Sequence, residues 1–263
     1  MDGSQLLGYI GALIVGLVLG LIGGGGSILT VPLLVYLLGY NPIIATAYSL
    51  FVVGTSSMVG TYQKHKKGLV DFKIGLAFSF PSFIAVYASR RYLVPGIPET
   101  FFSIGDYTLT KSMALMIFFA IIMLLASFSM IKKTKPTAVS AIPQPYYKTF
   151  IQGLTIGTIT GIIGAGGGFL YVPALVLWAH IPMKKAVGTS LIIVTINSLI
   201  GFMGDVQTLD IEWGFLLTFT IISIIGIIIG GYLSKFIQSE KLKKSFGFFV
   251  LAMAVYIIYK ELR

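Results

Sequence analysis

The stretch GLIGGGGSILTVPLLV at residues 20–35 returns as GIIGAGGGFLYVPALV at residues 161–176. A shift of 141 positions aligns residues 16–60 with residues 157–201 without a gap, and 17 of those 45 pairs are identical. Self-similarity of this extent does not arise by chance, so the chain contains an internal repeat. The two copies are predicted to form the two structural halves of the protein.

The composition around the repeat is that of an integral membrane protein. Apolar residues make up 56% of the 263 positions and charged residues 11%, against about 45–50% and about 25% in soluble domains. The net charge of +10 is interpreted as a signal of membrane orientation and not of nucleic-acid binding. Cysteine is absent, which excludes disulfides, thiolate catalysis and cysteine-based metal sites.

The apolar residues fall into ten segments, so the expected fold class is an all-α integral membrane protein. Two segments have only 11 residues, whereas a full span needs about 20. These two are predicted to be short, broken helices that follow glycine-rich loops. Whether the first two segments of each copy cross fully or re-enter from one side stays open. The segments are 6–22, 28–38, 43–62, 72–94 and 112–131 in the first copy, then 150–163, 169–179, 186–203, 213–236 and 245–259 in the second.

Each copy holds five segments, an odd number, so the second copy enters the membrane from the opposite side. The repeats are therefore predicted to be inverted, with residues 1–131 as the first, 132–147 as a cytoplasmic linker and 148–263 as the second. The basic loop QKHKKG of the first copy corresponds to GDVQTLD in the second, as expected for opposite faces. Inverted repeats with interrupted segments are typical of secondary transporters, whose site lies where the repeats meet.

The basic residues predict the orientation in the membrane. Placing the loop of residues 63–68 inside puts fourteen of the nineteen Lys and Arg residues on the cytoplasmic face, as the positive-inside rule requires. Both termini then lie outside, in a multi-pass protein of the plasma membrane. The pair Arg90 and Arg91 is expected to anchor at the outer interface.

The glycine-rich loops are the main candidates for a binding site. They are predicted to be unwound and to lead into helix N-termini, where free N–H groups and the helix dipole favour an anion. The alternative role of such glycines is close helix packing. The candidate residues are Gly23, Gly24, Gly25, Gly26 and Ser27 in the first copy, and Gly164, Ala165, Gly166, Gly167 and Gly168 in the second.

Polar side chains in the segments that follow provide further candidates. They are Ser49 in the first copy and Thr189, Ser190 and Asn197 in the second. Neutral donors of this kind can replace water around an oxyanion without holding it too tightly. Hydrogen bonding between helices is the competing interpretation.

Other chemistry is predicted to be absent. No ionisable residue falls clearly at the centre of a segment, so a buried salt-bridged site is not expected. No metal-ligand set, cofactor motif or Ser–His–acid set is recognised, so the protein is not predicted to be an enzyme. Asp71 and Glu212, at equivalent positions before segments, are expected to cap helix N-termini.

The motifs GLIGGGGSILTVPLL, ATAYSL and YQKHKKGLVDFKIGL, with GIIGAGGGFLYVPAL, AVGTSL and LKKSFGFFVLAMAVYII in the second half, resemble the TauE/SafE family of sulfite exporters. The resemblance implies a plasma-membrane carrier for small sulfur-containing oxyanions such as sulfite, sulfonates or thiosulfate. It implies that residues 23–27 and 164–168 and the regions of Ser49 and Ser190 line the pathway. The predicted partners are a small anion and the lipid bilayer, without nucleic acid, and homo-oligomerisation is left open. A passive anion channel using the same loops is the alternative function.

Overall fold

The computed structural model describes residues 3–104, 107–131, 146–207, 209–236 and 239–262. Within them the chain is almost entirely helical, as predicted. Two π-helical turns, Leu33–Leu37 and Ser89–Leu93, continue α2 and α4. The helices are α1 Gly3–Ile22, α2 Ser27–Pro32, α3 Pro42–His65, α4 Phe72–Ala88, α5 Val94–Gly96, α6 Lys111–Ile131, α7 Tyr146–Ile163, α8 Gly168–Leu177, α9 Met183–Asp205, α10 Trp213–Leu233 and α11 Ser239–Glu261.

Five helices of the described part are long and apolar enough to cross a membrane. The stretch Ser27–Leu37 is apolar but short, and α8 has 10 residues, which at about 1.5 Å each gives roughly 15 Å. Both short helices therefore reach about half-way through a bilayer, as the sequence predicts. The five spans are Pro42–His65, Phe72–Gly96, Lys111–Ile131, Met183–Asp205 and Trp213–Leu233.

Side chains are distributed as expected for a protein surrounded by lipid. On α10, Ile221 and Ile225 are exposed, whereas Thr220 and Ser223 are buried. Large apolar side chains on the outside and small or hydroxyl side chains between helices are the pattern of membrane helix packing. This distribution and the five spanning-length helices agree with a multi-pass membrane protein.

The helices pack in four principal pairs. α3 packs against α9 at the centre, and α1 packs along α10 while α4 packs along α7. α6 and α11 form a further pair. The largest apolar cluster joins these elements and contains residues of both sequence copies, including Val53, Phe119 and Val194. Each half therefore buries its helices largely against the other half.

Three local features differ from the prediction. The longer loop of the first copy contains an antiparallel hairpin of Thr100–Ile104 and Tyr107–Thr110, so the chain is not purely α-helical. The first glycine loop is not unwound, because Gly24–Gly26 form a 3-10 turn. Asp71 caps α4 by accepting a hydrogen bond from Ile74 N–H at 3.1 Å, whereas Glu212 makes no side-chain cap at α10.

The predicted cytoplasmic linker, 132–147, lies outside the described residues except for its last two positions. The division into domains at this linker stays a prediction. So does the placement of the lysines at positions 132, 133 and 135, which lie in the same region.

Candidate functional site

Two glycines end the helices that precede the glycine-rich loops. Gly23 follows α1 with a φ of +80°, and Gly164 follows α7 with a φ of +67°. Their N–H groups donate to Leu19 O at 2.8 Å and Thr160 O at 2.9 Å. A left-handed residue just after a helix is the conformation in which glycine has no steric penalty. Glycine at these equivalent positions therefore ends both helices, α1 and α7.

Directly after these breaks, the two glycine loops touch each other. A Cβ atom on Gly24 would lie 2.0 Å from Gly168 Cα, and a Cβ on Gly168 would lie 2.0 Å from Gly24 Cα. Only backbone fills this contact, so neither position has room for a side chain. The two predicted half-sites thus meet at one point, which we call the glycine junction (Gly24 and Gly168).

The second glycine loop faces a hydroxyl on α9. A Cβ on Gly166 would lie 2.8 Å from Ser198 Oγ. That hydroxyl is buried and has no hydrogen-bond partner among the described residues. Ala165, which precedes Gly166 in the loop, is fully buried.

Asn197 belongs to a buried polar cluster between α4, α8 and α9. Its amide Nδ2 donates to Ser82 Oγ at 2.8 Å and to Tyr171 OH at 2.7 Å. At the equivalent positions of the other copy, Ser56 Oγ donates to Ser223 Oγ at 3.0 Å. Small polar contacts thus flank the centre of the molecule on both sides.

Four hydroxyl groups, one of them beside the second glycine loop, are buried without a partner in the described part of the chain. Burial of an unpaired hydroxyl is unfavourable, and native proteins keep such groups rare. Each carries one O–H donor for which the described residues provide no acceptor. These residues are Thr30, Ser49, Ser57 and Ser198.

Three predicted site residues use their hydroxyl groups in hydrogen bonds to backbone groups. Ser27 Oγ donates to Gly24 O at 2.7 Å, and Thr189 Oγ1 accepts from Asp71 N–H at 3.0 Å. Ser190 Oγ donates to Val187 O at 2.9 Å. These interactions stabilise the loop, the α3–α4 connection and α9.

The remaining predicted residues lie around the loops. A Cβ on Gly23 would lie 3.2 Å from Ser190 Oγ. Gly26 packs against Leu19 of α1, and Gly167 packs against Thr160 and Tyr171. Gly25 lies in the 3-10 turn.

The prediction that Arg90 anchors at an interface is wrong. Its side chain is only 1% exposed, and its Nε donates to Asp205 at 2.9 Å and 2.7 Å. Its Nη1 donates to Thr46 Oγ1 at 3.1 Å. The described part of the chain therefore contains a buried ion pair. The expectation that no buried salt-bridged binding site exists stays a prediction. The guanidinium also borders the second glycine loop, because a Cβ on Gly164 would lie 3.1 Å from Nη1.

The repeat alignment contains signals that could have identified these contacts. Ser82 and Ser223 are identical residues at the shift of 141 positions, and both lie in the polar contacts. At the same shift Asp205 corresponds to Lys64, a reversal of charge at buried positions. In the described residues no cluster of three or more His, Asp or Glu side chains could hold a metal ion.

The five helices long and apolar enough to span a membrane place the protein in the class of multi-pass membrane proteins. The profile of the sulfite exporter TauE/SafE family matches residues 9–257. The chain belongs to this family.

Curated relatives agree with that class. A probable membrane transporter protein of Xylella fastidiosa is 30% identical, covering 94% of this chain and 92% of that protein. The probable membrane transporter protein YunE of Bacillus subtilis is 26% identical, covering 94% of this chain and 95% of that protein. A probable membrane transporter protein of Methanocaldococcus jannaschii is 40% identical over 41% of this chain and 42% of its own. No solved structure matches the chain.

Proposed function

We propose that this protein is a secondary transporter that moves small sulfur-containing oxyanions across the plasma membrane by alternating access of two inverted halves. The observation that carries the proposal is the glycine junction. There the two copies touch by backbone alone. The buried hydroxyl of Ser198, which has no partner among the described residues, lies beside Gly166 of the second loop. In transporters built from inverted repeats, substrate binds where interrupted helices of the two halves meet.

The packing between helices supports two inverted halves. A two-fold axis relating the copies would exchange the α1–α10 pair with the α7–α4 pair, and both pairs are present. A Cβ on Gly16 would lie 1.9 Å from Ser223 O, and one on the equivalent Gly157 would lie 2.4 Å from Ser82 O. Contacts that repeat with the partners exchanged are expected for such symmetry.

An oxyanion suits the chemistry of this centre. Hydroxyl groups such as those of Ser49 and Ser198 can donate to the substrate oxygens, and neutral donors release an anion more readily than a fixed cation would. The name of the matching family, sulfite exporter, supports sulfite or a related sulfur oxyanion as the substrate.

The same junction favours a carrier over a passive channel. Gly24 and Gly168 fill the centre with backbone in this conformation, so an anion passes only if the two loops separate. Movement of one half against the other provides that separation.

The proposed orientation places the basic loops on the cytoplasmic face. Both termini then lie outside.

Transport of radiolabelled sulfite into proteoliposomes tests the proposed function and the role of Ser198. We expect saturable uptake by the wild-type protein. Ser198→Ala removes a buried donor beside Gly166 and should lower kcat/KM about tenfold, since a hydrogen bond to a charged group contributes about 1.5–3 kcal/mol.

Thr218→Ala is the matched control, because this exposed hydroxyl bonds only to Gly214 O of its own helix. Its uptake should equal that of the wild type. Absence of sulfite, thiosulfate and sulfonate uptake by folded wild-type protein would contradict the function. Unchanged kinetics in Ser198→Ala would contradict the hydroxyl's role.

A further inference from the structure

A cavity of about 120 Å³ opens at the end of the protein where three basic loops meet. Its volume accommodates several water molecules, since a cavity needs about 10–15 Å³ to hold one. Its walls carry positive charge from four side chains that belong to these three loops. We call it the lysine cavity, and these side chains are Lys64, Lys67, Lys184 and Lys235.

The cavity ends against the first glycine loop. Ile22 and Val187 belong to its lining, and Gly23 follows Ile22 directly in the chain. A Cβ on Gly23 would lie 2.9 Å from Val187 Cγ1. A ligand in the lysine cavity is therefore separated from the glycine loop by a single layer of residues.

The deepest charge in the cavity belongs to Lys64, which is only 5% exposed. Its Nζ donates to Ser234 Oγ at 3.0 Å, and Lys67 Nζ donates to Gly231 O at 3.0 Å. Desolvation lowers the pKa of the Lys67 ammonium, and the nearby Lys235 lowers it further. A buried cation without a counter-ion is unfavourable, and binding of an anion relieves that cost.

None of the four lysines pairs with a carboxylate within the described residues. By contrast, Lys111 pairs with Glu99 and Lys185 with Asp71. Clustering of like charges around one cavity is unfavourable unless a ligand of opposite charge binds there. The lysine cavity is therefore suited to an anion of one or two negative charges.

At the opposite end of the protein, the buried charge at the equivalent position is neutralised by an ion pair. The residue equivalent to Lys64 in the second copy is Asp205, and the Arg90 guanidinium pairs with that carboxylate. The position equivalent to Arg90 is Gly231, so Lys64 faces no such partner. At one end of the protein the buried charge is thus neutralised by an internal ion pair. At the other end the positive charge stays available to a ligand.

We propose that the lysine cavity is a binding site for the transported oxyanion at the end of the protein that carries the basic loops. This proposal rests on the proposed function. Lys64 and Lys67 hold the anion oxygens one layer of residues away from Gly23, and Lys184 and Lys235 attract the anion at the rim. The anion leaves this site for the glycine junction when the two halves move.

Equilibrium dialysis of radiolabelled sulfite with the purified full-length protein tests the site directly. We expect Lys64→Gln to weaken binding at least tenfold, because one charge-assisted hydrogen bond contributes about 1.5–3 kcal/mol. The double variant Lys184→Gln with Lys235→Gln changes only exposed rim residues, so it keeps the test valid if Lys64→Gln does not fold. It should weaken binding severalfold.

The matched control is Lys66→Gln. Lys66 is exposed on the same loop, and its Nζ lies 4.5 Å from the centre of the Tyr62 ring. It does not line the cavity, so this variant should bind sulfite as the wild type does. Equal loss in Lys66→Gln and Lys64→Gln would overturn the site, because it would reflect loop charge alone.

Flux measured on the same variants separates this site from the proposed function. Lysine-dependent binding together with a raised KM for sulfite supplied at the basic end supports the site. Wild-type flux with unchanged binding and KM in all cavity variants overturns the site and leaves the function intact. Lysine-dependent binding without any flux overturns the function and leaves the site. Absence of binding by the wild type overturns the site.

Discussion

Gly24→Ala is expected to reduce sulfite flux at least tenfold. The added Cβ would lie 2.0 Å from Gly168 Cα and 2.4 Å from Gly168 C. Backbone cannot move aside as a flexible side chain can, and overpacking of this kind costs about 1–3 kcal/mol. An energy of that size, applied to one conformation of an alternating-access cycle, shifts its population by about tenfold or more. Gly168→Ala adds a methyl group to the same contact and should have the same effect.

Gly214→Ala is the control for this prediction. Gly214 lies in the first turn of α10, and no atom lies within 4 Å of a Cβ at this position. Its flux should remain at the wild-type level. Full activity in both Gly24→Ala and Gly168→Ala would show that the glycine junction plays no part in transport.

Asp205→Ala should destabilise the protein by about 3–5 kcal/mol, the cost of leaving a buried charge without its partner. Arg90 is only 1% exposed and cannot reach water without rearrangement. The loss should appear as a lower midpoint of chemical unfolding in detergent micelles. Replacing both residues by leucine removes the buried charge along with its partner, so this double variant should recover most of the lost stability.

The ion pair of Lys111 with Glu99 serves as the comparison. The Glu99 side chain is 82% exposed, so Glu99→Ala should cost less than about 1 kcal/mol. If Asp205→Ala were no more destabilising than Glu99→Ala, the buried ion pair described here would be contradicted.

The sequence was sufficient to predict the helical class and the positions of the short helices. Segment length and the repeat together predict that Ser27–Leu37 and α8 stop about half-way through a bilayer. The glycine-rich runs predict the chain breaks, because Gly23 and Gly164 take positive φ angles. These are local properties, and local sequence encodes them.

The ion pair of Arg90 with Asp205 could not be predicted from the sequence of either segment alone. Each residue lies near the end of an apolar segment, where charged residues normally face the interface. Burial depends instead on a partner 115 positions away in the other copy. Only the packing of α9 against the end of α4 brings the two charges together. The strands Thr100–Ile104 and Tyr107–Thr110 were not predicted, because they lie in the loop that lacks an equivalent in the second copy.

The candidate site, too, could be predicted only in part from the sequence. The repeat pointed to both glycine loops, and the structure brings Gly24 and Gly168 into contact. It did not indicate which hydroxyls lack a hydrogen-bond partner, because Ser190 and Ser198 carry the same side chain. Ser190 bonds to its own helix, whereas Ser198 has no partner among the described residues. That difference depends on rotamers and neighbours, which appear only in three dimensions.

The most direct test of the central claim is exchange of radiolabelled sulfite in proteoliposomes, with and without unlabelled sulfite on the opposite side. A carrier whose halves meet at the glycine junction returns faster when loaded, so we predict that sulfite on the opposite side accelerates release of the label severalfold. Release at an unchanged rate, accompanied by single-channel currents in planar bilayers, would contradict the account and establish a passive channel.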